Sequence, residues 1–133
     1  MRDKEHTNIK IAATILLLSI ANADEKIDKE EIKNIREIIQ DFFSIENEET
    51  FTIIENAIIE LKKNTSLFNY TQIINDNFSY KDKVDFIFCI YEVAYADKEL
   101  HFMEQYLIRK IAHTLHVEHK DLIEAKIQIK KYL

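Results

Sequence analysis

Not one of the 133 residues is glycine or proline. At ordinary usage of about 7% and 5%, a chain of this length would carry roughly nine of the first and seven of the second. The tight turns of β-hairpins need positive φ at one or both central positions, which glycine supplies. A β-rich fold is therefore hard to build from this sequence. Helices joined by short loops need few such positions, and Asn or Asp covers the occasional positive φ. The expected fold class is all-α. Glycine-rich phosphate loops and dinucleotide fingerprints are excluded, because both are made of glycines.

The second constraint is an internal repeat. The stretch Ala21-Asn22-Ala23-Asp24-Glu25-Lys26-Ile27-Asp28-Lys29-Glu30-Glu31 returns as Ala94-Tyr95-Ala96-Asp97-Lys98-Glu99-Leu100-His101-Phe102-Met103-Glu104. Both copies read Ala-x-Ala-Asp-x-x-(Ile/Leu)-x-x-x-Glu, and Asp24 to Asp97 and Glu31 to Glu104 share one offset of 73. The match extends outward: Leu17 and Ile20 pair with Ile90 and Val93, and Ile35, Ile38 and Phe42 pair with Ile108, Ile111 and Leu115. Two related helix–loop–helix units, about 9–43 and 82–116, are expected, each with an acid at both ends of its loop.

Apolar periodicity fills in the remaining helices. The first is capped by Thr7 or Asn8 and is apolar on most sides, which marks a buried helix. The second opens at Asp28 with Ile32, Ile35, Ile38 and Ile39 on one face. A third follows Ser44 or Asn47 and presents Phe51, Ile54, Ile58 and Leu61, with Asn64 suited to a left-handed cap. A fourth follows Asn69. A fifth is capped by Ser79 and Asp82, a sixth carries Phe102, Tyr106, Ile108 and Ile111, and a seventh runs from about Glu118. Residues 1–133 are expected to form one domain, a compact bundle of about seven helices. The two repeated hairpins are expected at its centre, related by a pseudo-two-fold axis.

Charge narrows the partners. The net charge is −6, and residues 24–60 hold 12 acids against 4 bases. Such a face repels phosphate backbones, so no nucleic acid is expected. The single Cys89 lies in an apolar run and reads as a buried hydrophobe. Without a second cysteine no disulfide forms within the chain, which fits a reducing, cytoplasmic setting. Ile9 to Ile20 followed by Ala21-Asn22-Ala23 has the grammar of a signal peptide. Against that, Asp3 and Glu5 interrupt the basic start, and Ala94-Tyr95-Ala96 repeats the pattern in mid-chain. The run is too short to span a bilayer, so no membrane insertion is expected.

The repeated acids carry the chemistry. Asp24 and Asp97 fall at helix C-termini, where a carboxylate opposes the helix dipole by a few tenths to about 1 kcal/mol. Glu31 and Glu104 fall in the next first turn, where the dipole favours them. One reading is local: the Asp accepts loop N–H groups and the Glu closes a capping box. In the second copy His101, a poor cap, replaces Asp28, yet Glu104 remains, which suggests a role beyond capping. The other reading is a cation site. If the two loops converge, Asp24, Glu31, Asp97 and Glu104 repel one another until a cation neutralises them. All-oxygen ligands suit Ca²⁺, Mg²⁺ or Mn²⁺, with Glu25, Asp28 and Glu99 in support. The loop is not an EF-hand, since Lys26 sits between Asp24 and Asp28 and the required glycine is absent.

Ala-Asp-x-x-(Ile/Leu)-x-x-x-Glu, ending one helix and opening the next, resembles the motif of the TerB-like family. That family is named for tellurite-resistance proteins and includes the N-terminal domain of membrane-anchored J-domain co-chaperones. The resemblance covers roughly Ile9 to Leu115. It implies a seven-helix fold, a bacterial cytoplasmic stress-associated role, and a metal site at Asp24, Glu31, Asp97 and Glu104. The family usually has glycine after the Asp, where this chain has Glu25 and Lys98, so the loop is shaped differently here.

Other candidates are weaker. His113, His116 and His119 are spaced by three, a spacing at which two imidazoles share a zinc ion, though exposed, unliganded histidines are the simpler reading. Tyr70, Tyr80, Tyr91, Tyr95 and Phe102 read as core, and Tyr95 is also placed to line a binding surface beside its acidic loop. No nucleophile, substrate pocket or oxyanion donor is marked, so no enzyme is expected. Two functions remain: a metal-binding stress-response domain, or a metal-independent interaction module of co-chaperone type whose acidic loops contact a basic protein partner.

Overall fold

The computed structural model describes residues 2–21, 29–63, 66–96 and 100–132. Seven α-helices follow one another: α1 Arg2–Ala21, α2 Lys29–Phe43, α3 Asn47–Leu61, α4 Leu67–Asn77, α5 Tyr80–Ala94, α6 Phe102–Thr114 and α7 His119–Tyr132. Among the described residues there is no strand.

Helix α1 is the hub. Every residue from Ala12 to Ala21 is buried. A helix without a polar side must be surrounded, and α2, α3, α4, α5 and α6 all pack on it. Helix α7 packs on α5. Two hydroxyls interrupt the apolar ring, and each is satisfied within its own helix. Thr14 donates to the Lys10 carbonyl and Ser19 to the Ile15 carbonyl, both at 2.8 Å. The same device serves Thr50, which donates to Glu46 at 2.7 Å, and Thr71, which donates to Leu67 at 2.9 Å. A buried hydroxyl without a partner costs about 1–3 kcal/mol. The carbonyl four residues back removes that cost without help from another helix. No buried side-chain nitrogen or oxygen lacks a partner among the described residues.

Helix boundaries depart from expectation in two places. Helix α1 begins at Arg2, so Thr7 and Asn8 lie inside it. Nothing between Arg2 and His6 breaks a helix, and the propensities there allow it to continue back. Helix α4 starts at Leu67, capped by Ser66, whose Oγ accepts from the Phe68 N–H at 3.2 Å. Asn69 is therefore in its first turn. Helix α5 starts as the spacing predicts, with Ser79 Oγ accepting from the Asp82 N–H at 3.1 Å. Asp28 and Asn64 lie outside the described residues.

Faces also rotate. Helix α3 buries Thr50, Ile53, Ile54 and Ala57, and Phe51 is 61% exposed. Thr50 and Ala57 share the buried side of α3 with Ile53 and Ile54, and Phe51, about 100° round the helix from Thr50, faces outward. On α6 the buried set is Glu104, Ile108, Ile111 and Ala112, while Phe102 and Tyr106 face solvent. Four pairs of positions matched by the sequence repeat are buried in both copies. Leu17 and Ile90, Ile20 and Val93, Ile35 and Ile108, and Ile38 and Ile111 are all core residues, and Phe42 and Leu115 pack on the same core. Helix α1 packs on α5, α2 on α5, and α6 on α1. The surroundings of the two hairpins differ, since α3 and α4 cover α1 whereas α7 covers α5.

Phe42, Phe78 and Phe86 form a cluster at one end of the core. Phe42 stacks on Phe78 at 5.7 Å, and Phe86 meets both edge-on at 5.9 and 5.8 Å. At the start of α5 the Tyr80 hydroxyl accepts from the Glu118 N–H at 3.0 Å and donates to the Asp121 carboxylate. This ties the beginning of α7 to the beginning of α5.

The missing glycines leave a mark. Among the described residues, positive φ falls on Ser44 (54°) and His116 (60°), not on Asn or Asp. Both residues end a helix of the repeat. The Ile45 N–H returns to the Gln40 carbonyl at 3.1 Å, and the Val117 N–H to the Ala112 carbonyl at 3.0 Å. These are the six-residue wraps of Schellman endings. Val117 is buried and Ile45 packs on the core, so the residue after each turn is anchored and forces the turn residue left-handed. A residue bearing Cβ spends about 1–2 kcal/mol there. Ser44→Gly and His116→Gly should each raise the melting temperature by about 2–5 °C in thermal unfolding, whereas Ser44→Ala and His116→Ala should not.

Candidate functional site

Glu31 stands in the first turn of α2 and Glu104 in the first turn of α6. Glu104 is 8% exposed. Its Oε1 accepts the His101 backbone N–H at 2.9 Å. Glu104 thus closes the start of α6 itself, at a helix whose N-cap position holds a histidine. The His101 side chain in turn accepts from the Glu104 backbone N–H, so the two residues form a reciprocal capping box, and the suggestion that Glu104 is present for something beyond capping loses that support. Asp24 and Asp97, together with Glu25, Asp28 and Glu99, lie outside the described residues. The convergence of Asp24, Glu31, Asp97 and Glu104 is therefore an expectation from the sequence repeat alone. Among the described residues no group of three or more His, Cys, Asp or Glu side chains is arranged to hold a metal ion.

The histidine series comes apart in the fold. His113 lies in the last turn of α6, His116 occupies the left-handed position, and His119 opens α7; all three are exposed. Tyr95 is buried and its ring lies 6.3 Å from that of Tyr91, so it belongs to the core and not to a binding surface.

A protein-family model described as tellurite resistance protein TerB matches residues 10–127. The chain belongs to the TerB family. The matched TerB stretch runs from α1 into α7 and contains both acidic loops. Searches among curated proteins and among solved structures returned no significant match. Among the described residues of this TerB domain, no helix is long and apolar enough to cross a membrane.

One feature of the TerB domain went unread in the sequence. A groove of about 620 Å³ lies between α2 and α5, lined by Asn34, Glu37, Gln40, Asp41, Cys89 and Glu92, with Ile38 and Phe42 at its apolar side. Its charge is entirely negative. Cys89 is buried, and its thiol is pushed up to about 12 by burial first and then by Glu92, Asp85 and Asp41. A thiol held neutral is a poor nucleophile and a poor metal ligand, in keeping with its reading as a small hydrophobe. The Glu92 carboxyl is also raised, by burial first and then by Asp41. Glu37 with Asp41 and Cys89 with Glu92 have helical spacing, so each half was visible. The pairing of α2 with α5 was not.

The sign of the Glu92 contribution follows from linkage. A carboxyl raised in the folded state binds its proton more tightly there than in the unfolded chain, so stability falls as pH rises from the unfolded value through the folded one. Glu92→Gln should raise the melting temperature at pH 7. Below the ordinary carboxylate range of about 4 to 4.5 the gain should vanish, because both states then carry the proton. Thermal unfolding of the two proteins across that range checks both halves.

Proposed function

We propose that this TerB domain is a non-enzymatic, cytoplasmic stress-response module of bacterial type that binds a divalent cation through its two acidic loops, with Asp24, Glu31, Asp97 and Glu104 as ligands. The observation that carries this reading is the duplicated placement of the acids. Glu31 and Glu104 open α2 and α6 at equivalent positions, on hairpins whose first helices, α1 and α5, pack together. Membership of the TerB family supports the same assignment. Four carboxylates brought to one place favour a hard cation such as Ca²⁺, Mg²⁺ or Mn²⁺. The bound ion would remove their repulsion and hold the two loops together.

A second reading is favoured by the Glu104 geometry. A carboxylate occupied in capping α6 fits a metal-independent interaction module of co-chaperone type, whose acidic loops meet a basic protein partner.

Thermal unfolding after chelation, with each cation then added separately, decides between them. An ion at 100 times its dissociation constant stabilises by about 2.7 kcal/mol, or about 5 °C or more for a domain of this size. The cation reading expects that shift, and expects it to be lost in Asp24→Asn/Asp97→Asn. Glu104→Gln sharpens the test, since glutamine keeps a capping acceptor but loses the anionic ligand. Its stability without metal should stay close to that of the parent, and its cation shift should shrink. Indifference to every ion would end the cation reading in favour of the interaction module.

A further inference from the structure

Helix α6 presents a continuous outer stripe. Phe102 (75% exposed), Met103 and Tyr106 form its first half, and Arg109, Lys110 and His113 its second. The repeat supplies an internal comparison. At the equivalent positions α2 carries Lys29, Glu30, Lys33, Arg36 and Glu37, all exposed. The helix–loop–helix unit therefore folds with charges at these places, and nothing in its packing calls for Phe, Met and Tyr. Grouped, exposed apolar side chains of this kind mark a contact surface.

A complementary stripe lies on α3. Glu48, Phe51, Glu55 and Ile59 share one exposed face, with Ile59 56% exposed. The neighbouring acids are used within the fold: Glu49 pairs with Lys10 at 2.6 Å and Glu60 with Lys63 at 2.8 Å. Glu48 and Glu55 form no ion pair among the described residues, and neither do Arg109 and Lys110.

We infer that the outer face of α6 docks on α3 of a second copy of this chain, with the two helices antiparallel. In that direction Phe102 meets Ile59, and Arg109 and Lys110 fall opposite Thr52 and Phe51, about one turn from both Glu55 and Glu48. The lengths agree: Phe102 to His113 and Glu48 to Ile59 each span about 16 Å at 1.5 Å per residue. In the parallel direction Arg109 still reaches Glu55, but Phe102 then stands beside Glu48 and Ile59 opposite His113, so neither apolar side chain meets another. Each copy carries both faces, so the contact either closes reciprocally into a dimer or repeats head to tail. The inference stands apart from the cation reading, since none of these residues is a proposed ligand.

Sedimentation of the full chain over a wide concentration range tests it. The wild-type protein should associate as concentration rises, and less so at high salt, because exposed pairs are screened beyond about 10 Å at 0.1 M. Phe102→Lys/Met103→Glu/Tyr106→Lys places the α2 residues on α6 and should leave helicity and monomer stability unchanged. It should lower the association constant by at least about tenfold. Arg109→Glu and Glu55→Arg should each weaken association, and the two together should restore it. A wild-type protein that stays monomeric at every concentration overturns the inference, whether or not another protein uses these faces. Association that survives the α6 substitutions, or charge reversals that fail to compensate, also overturns it.

Discussion

Burial of α1 on every side is the constraint on which the other helices depend. Ile15, Leu16, Leu17, Leu18 and Ile20 are fully buried. At about 1.5–3 kcal/mol each, their gross contribution is on the order of 10 kcal/mol, comparable to the whole net stability of a domain this size. No single neighbour could cover such a helix. Five do, and the order of the chain follows from the need to wrap it. The internal hydroxyl bonds of Thr14 and Ser19 belong to the same constraint, because a polar group in this position must be satisfied without breaking the apolar ring.

The hub also determines where chemistry can sit. Both acidic loops follow helices of the central pair, α1 and α5, and both lead into helices, α2 and α6, that pack back on that pair. The sequence repeat places one acidic loop after each helix of that pair, while the outer surfaces of α3 and α6 are left to vary. That division explains how equivalent positions on α2 and α6 hold Lys29 and Lys33 in one copy and Phe102 and Tyr106 in the other.

Much of the fold was legible because α-helices announce themselves by period, and because a chain without glycine or proline has few alternatives. Leu17, Ile35, Ile90 and Ile108, which the period places on apolar faces, lie in the core, and the family resemblance on the Asp-to-Glu motif agrees with the TerB match. What failed were decisions that depend on a neighbour. Phe51, Phe102 and Tyr106 fit an apolar helical face equally well inside or outside, and only the position of α1 relative to α3 and α6 chooses. Tyr95 stands beside an acidic loop in sequence, yet it is buried in the core near the Tyr91 ring. Left-handed turns at Ser44 and His116 are set by the anchoring of Ile45 and Val117, not by the preference of the turn residue itself. For the candidate site, Glu104 was found by spacing alone, but its bond to the His101 N–H needed coordinates. The groove at Asp41, Cys89 and Glu92 needed the pairing of two helices 50 residues apart in sequence.

Native-state hydrogen exchange tests the hub most directly. If α1 is held by five neighbours, its amides from Ala12 to Ile20 exchange only when the whole domain unfolds, and their opening free energy equals the global value. Helix α7, which packs on α5, should open at lower free energy. Exchange of α1 through local opening, ahead of α3 or α7, would contradict the account and move the organising centre elsewhere in the bundle.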